Sequence, residues 1–338
     1  MEVNLMSDTV TRPTAEMLEA MMTAPVGDDV FGEDPTINAL QEKVSRLFGH
    51  EAALFCPSGT MTNQIALQVH LHALEEVICE ENAHIYQFET GGYAHNARCA
   101  VSLIKGSYGK MTARQVEDAI KMPHDWLPKT RLVSIENSCN KGGGTYYTLP
   151  EATDIKEVCH KHQLRFHLDG ARLFNVLVET GDQTSEWGSL FDTVSICLSK
   201  GLGAPVGSLL IGSKALIDQA RRFRKVMGGG MRQAGILAAA GIYALDHHVE
   251  RLKEDNDRAK EIGKVLNEKG FVENVRPVQT NIVIADLVES LTAAEYIRQL
   301  NEREIRAVAM GSHAVRFVTH LNITDEMMEY ALEVIRKM

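Results

Sequence analysis

Lys200 ends the run Val194-Ser195-Ile196-Cys197-Leu198-Ser199 and is followed at once by Gly201-Leu202-Gly203. A lysine at the mouth of a buried strand, flanked by small residues, suits an amine kept partly desolvated for condensation with a carbonyl. Upstream, Phe166-His167-Leu168-Asp169-Gly170-Ala171-Arg172 reads as a second strand that closes on a carboxylate and an arginine. Taken alone, the first segment fits a solvated loop lysine, and the second fits a turn whose surface ion pair is worth about 0–1 kcal/mol. Together and in this order they read as the anchoring set of a pyridoxal phosphate (PLP) site. Lys200 would be the imine lysine, Asp169 the acid beside the pyridinium nitrogen, and Arg172 a positive charge near the ring's phenolic oxygen.

A phosphate needs its own cradle. Pro57-Ser58-Gly59-Thr60 falls between a strand and a helix, where the Gly59 and Thr60 N–H groups and the neighbouring hydroxyls meet an anion at the helix's positive end. Equally, the segment fits an ordinary Ser/Thr helix cap. The chain has no G-x-x-x-x-G-K-[ST] motif. Gly228-Gly229-Gly230-Met231-Arg232-Gln233 fits either close backbone approach or a hinge between two helices. His84, in the polar loop Glu80-Glu81-Asn82-Ala83-His84, is either a surface residue or an imidazole that stacks on a ring and reaches substrate protons near neutral pH. Arg316 is the one charge in Ala314-Val315-Arg316-Phe317-Val318; it suits bidentate capture of a carboxylate and equally a solvent-facing place on an edge strand.

The elements around these residues alternate. Apolar runs at 52–56, 77–79, 101–104, 131–135, 164–168, 193–198 and 206–211 read as strands, and helical spacing marks 37–47, 61–74, 113–120 and 152–162. Such βα units imply an α/β fold with a mostly parallel sheet covered by helices on both faces, and ligands bind outside the carboxyl ends of such strands. Asp169 and Lys200 both stand there. Long helices follow at 214–227, 231–247 and 250–269. A small α/β unit closes the chain, with strands at 281–285, 305–309 and 315–318 and helices at 292–301 and 325–337. The expected division is a large domain of residues 1–245 and a small carboxyl-terminal domain of 246–338.

Of 338 residues 44% are hydrophobic, enough for a large core, and the net charge of -10 argues against broad attraction to nucleic acid or anionic lipid. Small molecules are the expected partners. No stretch approaches the ~18 apolar residues of a membrane span, and the amino-terminal residues lack a signal-peptide pattern, so the expected location is the cytoplasm. Six cysteines without a C-x-x-C pair read as reduced thiols, and the paired histidines lack a matching second cluster, so no metal site is expected.

Several longer segments carry a resemblance: Ser7-Asp8-Thr9-Val10-Thr11-Arg12-Pro13, residues 26–36, Pro57-Ser58-Gly59-Thr60, residues 167–172, residues 197–208 and residues 228–233. Over nearly its whole length the chain resembles the low-specificity L-threonine aldolases of the beta-eliminating lyase/threonine aldolase group, fold-type I PLP enzymes. The resemblance implies a large domain with a mostly parallel seven-stranded sheet between helices, whose amino-terminal segment lies at a subunit interface, in a homotetramer built as a dimer of dimers. It implies cleavage of L-threonine and L-allo-threonine to glycine and acetaldehyde. Lys200 and His84 become catalytic residues. Ser58, Gly59, Thr60, His84, Asp169, Arg172 and Lys200 become cofactor contacts, Arg232 reaches a cofactor phosphate, and Ser7 and Arg316 hold the substrate carboxylate. Two departures stand out. Glu136-Asn137-Ser138-Cys139-Asn140 replaces the family's Glu-Asn-Thr-His-Asn, and the stretch His124-Asp125-Trp126-Leu127-Pro128 stands where relatives carry a histidine on the β-hydroxyl. Either His124 is that catalytic base or Trp126 replaces it, and an aromatic group there favours phenylserine-like substrates. Elimination from small amino acids and their racemisation are reactions that the same scaffold could equally host.

Overall fold

The computed structural model describes residues 2–338. Its centre is a sheet of β1 (Ala52–Cys56), β2 (Glu75–Glu80), β3 (Ala100–Ile104), β4 (Lys129–Glu136), β5 (Arg165–Gly170), β6 (Thr193–Cys197) and β7 (Ser208–Gly212). The spatial order is β1-β7-β6-β5-β4-β2-β3. Strands β6, β5, β4, β2 and β3 pair in parallel, while β7 runs antiparallel to both β6 and β1. The sheet is therefore mostly parallel, as expected, with β7 reversed. The reversal has a simple cause: only residues 198–207 separate β6 from β7, whereas a parallel return needs a crossover of a dozen or more residues. Both β6 and β7 are buried at every position, as central strands covered on two faces should be.

The covering helices follow from their caps and stripes. Pro35–Phe48 carries proline at its first position and stops at Gly49, whose φ of 68° suits glycine. Its buried Ile37, Leu40, Val44 and Phe48 form one face against the main core. Its cap is Asp34, fully buried, whose carboxylate accepts from the N–H of Thr36 at 3.1 Å and of Ile37 at 3.0 Å. The other carboxylate oxygen accepts from Gly235 N–H at 2.9 Å and Gly27 N–H at 3.3 Å, so one side chain joins the starts of two helices to a loop. Helices Ala15–Met22, Leu173–Thr180 and Thr184–Leu190 have no counterpart in the sequence expectations.

A second, antiparallel sheet contains β8 (Val272–Val275), β9 (Ile282–Leu287), β10 (Val308–Ala309) and β11 (Ala314–Val318), in the order β10-β11-β9-β8. Its own apolar cluster draws on helices Leu252–Asn267, Ala293–Asn301 and Asp325–Lys337. Residues 3–5 differ from their expected grouping with the large domain. Val3–Asn4 pairs in parallel with Ile305–Arg306, Leu5 C=O accepts from Val318 N–H at 2.9 Å, and Val3 and Leu5 are buried in the second cluster. Two apolar residues are too short a pattern to read as a strand, and only the strands of the second unit give them partners. All six cysteines are free and buried. No helix among the described residues is long and apolar enough to cross a membrane.

Asp34→Ala removes four acceptor contacts at once, leaving buried N–H groups unpaired. Urea denaturation is expected to show a loss of about 2–3 kcal/mol, more than a simple cap deletion.

Candidate active site

The carboxyl ends of β5 and β6 and the start of helix Gly59–His70 meet at a cavity of about 180 Å³. Ser58, Gly59, Thr60, His84, Asp169, Arg172 and Lys200, all singled out from the sequence, line it together with Asn63, Glu136 and Cys197. Lys200 follows β6 by three residues and opens a turn closed by Gly203 N–H on Lys200 C=O at 2.8 Å, with Gly203 at φ 82°. No hydrogen bond or ion pair holds its Nζ among the described residues. Ser58 caps the helix, its Oγ accepting from Met61 N–H at 3.2 Å, so the first-turn N–H groups of Gly59 and Thr60 lack helical partners. A Cβ on Gly59 would fall 2.6 Å from Cys197 Sγ, so the helix lies as close to β6 as a glycine allows.

Asp169 ends β5, buried, with Oδ2 accepting from Asn63 Nδ2 at 2.7 Å and Oδ1 from Ala171 N–H at 3.2 Å. Asn63 also donates to buried Glu89 at 2.9 Å, which accepts further from Gln64 Nε2 at 2.5 Å and His84 Nδ1 at 2.9 Å. The His84 N–H donates to Glu136 Oε2 at 2.8 Å, and Asn140 N–H donates to Glu136 Oε1 at 2.9 Å. Burial works against a charged His84, but Glu89, Asp169 and Glu136 outweigh it and raise its pKa. Glu136 is itself raised, by burial and by Asp169. His84, Glu89 and Asp169 bring possible ligand atoms within 4.8 Å of one another, yet His84 Nδ1 and both carboxylates already hold protein partners.

Arg172 is buried and makes two parallel bonds to Asp8, Nε to Oδ2 and NH2 to Oδ1, each 2.7 Å. Burial pushes the Asp8 carboxyl upward, but Arg172 dominates through charge and hydrogen bonds, with Lys200 adding, and holds it at about 2. Ser7 caps the short turn Asp8–Val10 beside it. Arg316 lies on β11, an interior strand between β10 and β9, and not on an edge. It donates to Asn140 Oδ1 at 2.8 Å and Met6 C=O at 3.0 Å, while its buried Nε has no partner. Burial first, then Arg172, lowers its pKa to about 10.

Four expected site residues do not line the cavity. Ser7 and Arg316 lie beside the Asp8–Arg172 pair, and two others lie elsewhere. His124 is exposed and stacks on Trp126 with ring centres 4.5 Å apart. It precedes the amino end of β4, and the eight residues of that strand, roughly 26 Å, lie between it and the carboxyl end. Within one chain, therefore, it cannot act at this cavity. Arg232 is exposed, paired with Asp28 at 2.8 Å and lying over the Phe31 ring. Asp8, Asn63, Glu89 and Glu136 escaped the sequence reading. Asp8 and Glu136 carried a signal, through their places in the segments 7–13 and 136–140.

A family model for beta-eliminating lyases matches residues 4–290. The chain belongs to the beta-eliminating lyase family. Among its relatives, this lyase-family chain is 43% identical over 329 residues to the low specificity L-threonine aldolase of Escherichia coli strain K12, covering 96% of each chain. It is 40% identical over 337 residues to low-specificity L-threonine aldolase 1 of Arabidopsis thaliana, 98% of this chain and 94% of that one. The solved threonine aldolase of Leishmania major has the same fold, with a TM-score of 0.86 at 24% identity over 99% of both chains.

Behind Asp169, burial pushes His167 down to about 4 and, helped by His167, His70 down to about 3. In the unfolded chain both titrate near 6.5. Their contribution to the stability of this lyase-family chain is then complete above pH ~6.5 and lost as pH falls toward 4, at up to about 1.4 kcal/mol per unit for each. The urea midpoint should drop across that window, and His70→Gln should flatten the drop; equal slopes would refute the assignment.

Proposed function

We propose that this protein is a PLP-dependent aldolase that cleaves L-threonine and L-allo-threonine to glycine and acetaldehyde. One observation carries the reading. An amine with no hydrogen bond or ion pair among the described residues, a buried carboxylate and an open helix start face a single cavity in a chain 43% identical to a named threonine aldolase. The donor set fits PLP: Lys200 would hold the aldehyde carbon, Asp169 the ring nitrogen, and Ser58, Gly59 and Thr60 the phosphate. When bound, PLP would supply an electron-accepting ring conjugated to Cα through the substrate's amino nitrogen.

The protein's own residues do the rest. Arg316, tied to Asn140 and Met6 and with one buried N–H unpaired, would capture the substrate carboxylate with Ser7. Fixing that group would hold the Cα–Cβ bond in one orientation for cleavage. His84, made more basic by Glu89, Asp169 and Glu136, would take the β-hydroxyl proton. The oxygen then becomes the acetaldehyde carbonyl as Cα–Cβ breaks, and a proton returned to Cα completes glycine. Arg172 would set the charge beside the ring oxygen while Asp8 fixes its direction.

Assembly as a homotetramer is part of the same reading. It is supported by Met22, Phe31 and Val226, exposed at 88%, 74% and 87%. Arg232 lies over Phe31, where it could serve a neighbouring subunit's phosphate. His124, exposed at the far end of the sheet, would likewise act only on another subunit's site.

Purified protein should absorb in the visible and release acetaldehyde and glycine from both threonine diastereomers. Lys200→Ala should reduce turnover by about a thousandfold or more. His84→Phe, which keeps a ring in place, should retain PLP and lose about 10²–10⁴ in kcat. Pyruvate from L-serine without acetaldehyde from threonine would overturn the aldolase reading in favour of elimination.

A further inference from the structure

We propose that Asn63, His167, Thr193 and His70 form a one-way hydrogen-bond relay that positions the carboxylates of Asp169 and Glu89. The local structure puts them in line. Asn63 and His70 are seven apart on helix Gly59–His70, hence on one stripe. His167 is two residues from Asp169 on β5, on the same strand face, and it pairs with Thr193 on β6. All six side chains are buried.

The direction of each bond follows from donor and acceptor capacity. Asn63 Nδ2 touches two carboxylate oxygens, Asp169 Oδ2 at 2.7 Å and Glu89 Oε1 at 2.9 Å, so its two protons point at them. Turning the amide over would set its oxygen against both. Asn63 Oδ1 must therefore accept from His167 Nε2 at 3.2 Å, which fixes that proton on Nε2. Neutral His167 then has a lone pair on Nδ1, which accepts the Thr193 hydroxyl proton at 2.9 Å. With its single proton committed, Thr193 Oγ1 accepts from His70 Nε2, also at 2.9 Å. Every donor points toward the cavity, and bonds aligned in one sense reinforce each other in a low-dielectric interior.

The relay gives one amide two duties. Asn63 holds Asp169 in place and separates it from Glu89, and Glu89 orients His84 through Nδ1. These are positioning residues for the aldolase chemistry proposed above, and the inference rests on that reading only for what Asp169 and His84 do.

The test begins with histidine 15N NMR of the wild-type protein, with and without PLP. Neutral Nε2–H tautomers at His167 and His70 between pH 6 and 8 are expected, and an Nδ1–H tautomer at His167 overturns the relay. Thr193→Val should release the tautomer of His167 and lower kcat about fivefold or more with KM changed less than about twofold, because the relay lies behind the substrate. Asn63→Leu should weaken PLP affinity about tenfold or more and shift the pH midpoint of the visible band; unchanged affinity and band overturn the proposal. If Asn63→Leu does not fold, the wild-type tautomers and Thr193→Val decide. If wild-type protein takes up no PLP, the functional reading fails, while the tautomers of the cofactor-free protein still decide the relay.

Discussion

Asp8 and Arg172 bury opposite charges against each other beside the cavity, and the placement of that cavity depends on the pair. Two parallel bonds of 2.7 Å make it a fork, and Asn281, just ahead of β9, adds a third contact to Asp8 at 3.1 Å. Asp8 belongs to the amino-terminal thread, Arg172 to the end of β5, and Asn281 to the second unit. Removing one partner would leave a charge alone in the interior, which typically costs about 3–5 kcal/mol. The pair therefore ties three separate parts of the chain to one point, next to Lys200 and Arg316, whose charges both act on Asp8 or feel it.

Around that point the charges are layered by sign. Arg172 and Arg316 stand near each other on one side, and Asp169, Glu89 and Glu136 act together on His84. Burial first, then the neighbouring Arg172, lowers Arg316, and burial first, then Asp169, raises Glu136. Hydrogen bonds to Glu89 and Glu136 fix His84 at its ring and at its backbone, so its position does not depend on a bound ligand.

Legibility in the sequence followed the range of the forces. The strand Ala52–Cys56 and the helix Asp325–Lys337 were readable to the residue because periodicity, caps and breakers act locally. Ser58, Gly59, Thr60, Asp169 and Lys200 were conspicuous because each ends or begins a buried element. The direction of β7 was not, since an apolar run carries no arrow; the short loop before it decides. Asp8 and Glu89 act through partners far away in sequence, and no periodicity marks an isolated carboxylate that meets its partner only in the folded chain. One charge in an apolar run fits an edge strand and an interior strand alike, and the strand of Arg316 is paired on both sides. His124 lay near chemistry in the chain but not in space, because a whole strand intervenes.

The burial of every cysteine has a consequence of another kind. All six lie at or before residue 197, and burial pushes the thiols of Cys56 and Cys159 up to about 12. Apart from Cys197, which lines the cavity, these thiols offer a thiol-alkylating reagent no path in the native fold, so their rate of alkylation becomes a clock for opening of the large sheet. The same clock is blind to the second unit, which holds no sulfhydryl at all. Comparing alkylation with a probe of the whole chain would thus separate breathing of one half from breathing of the other.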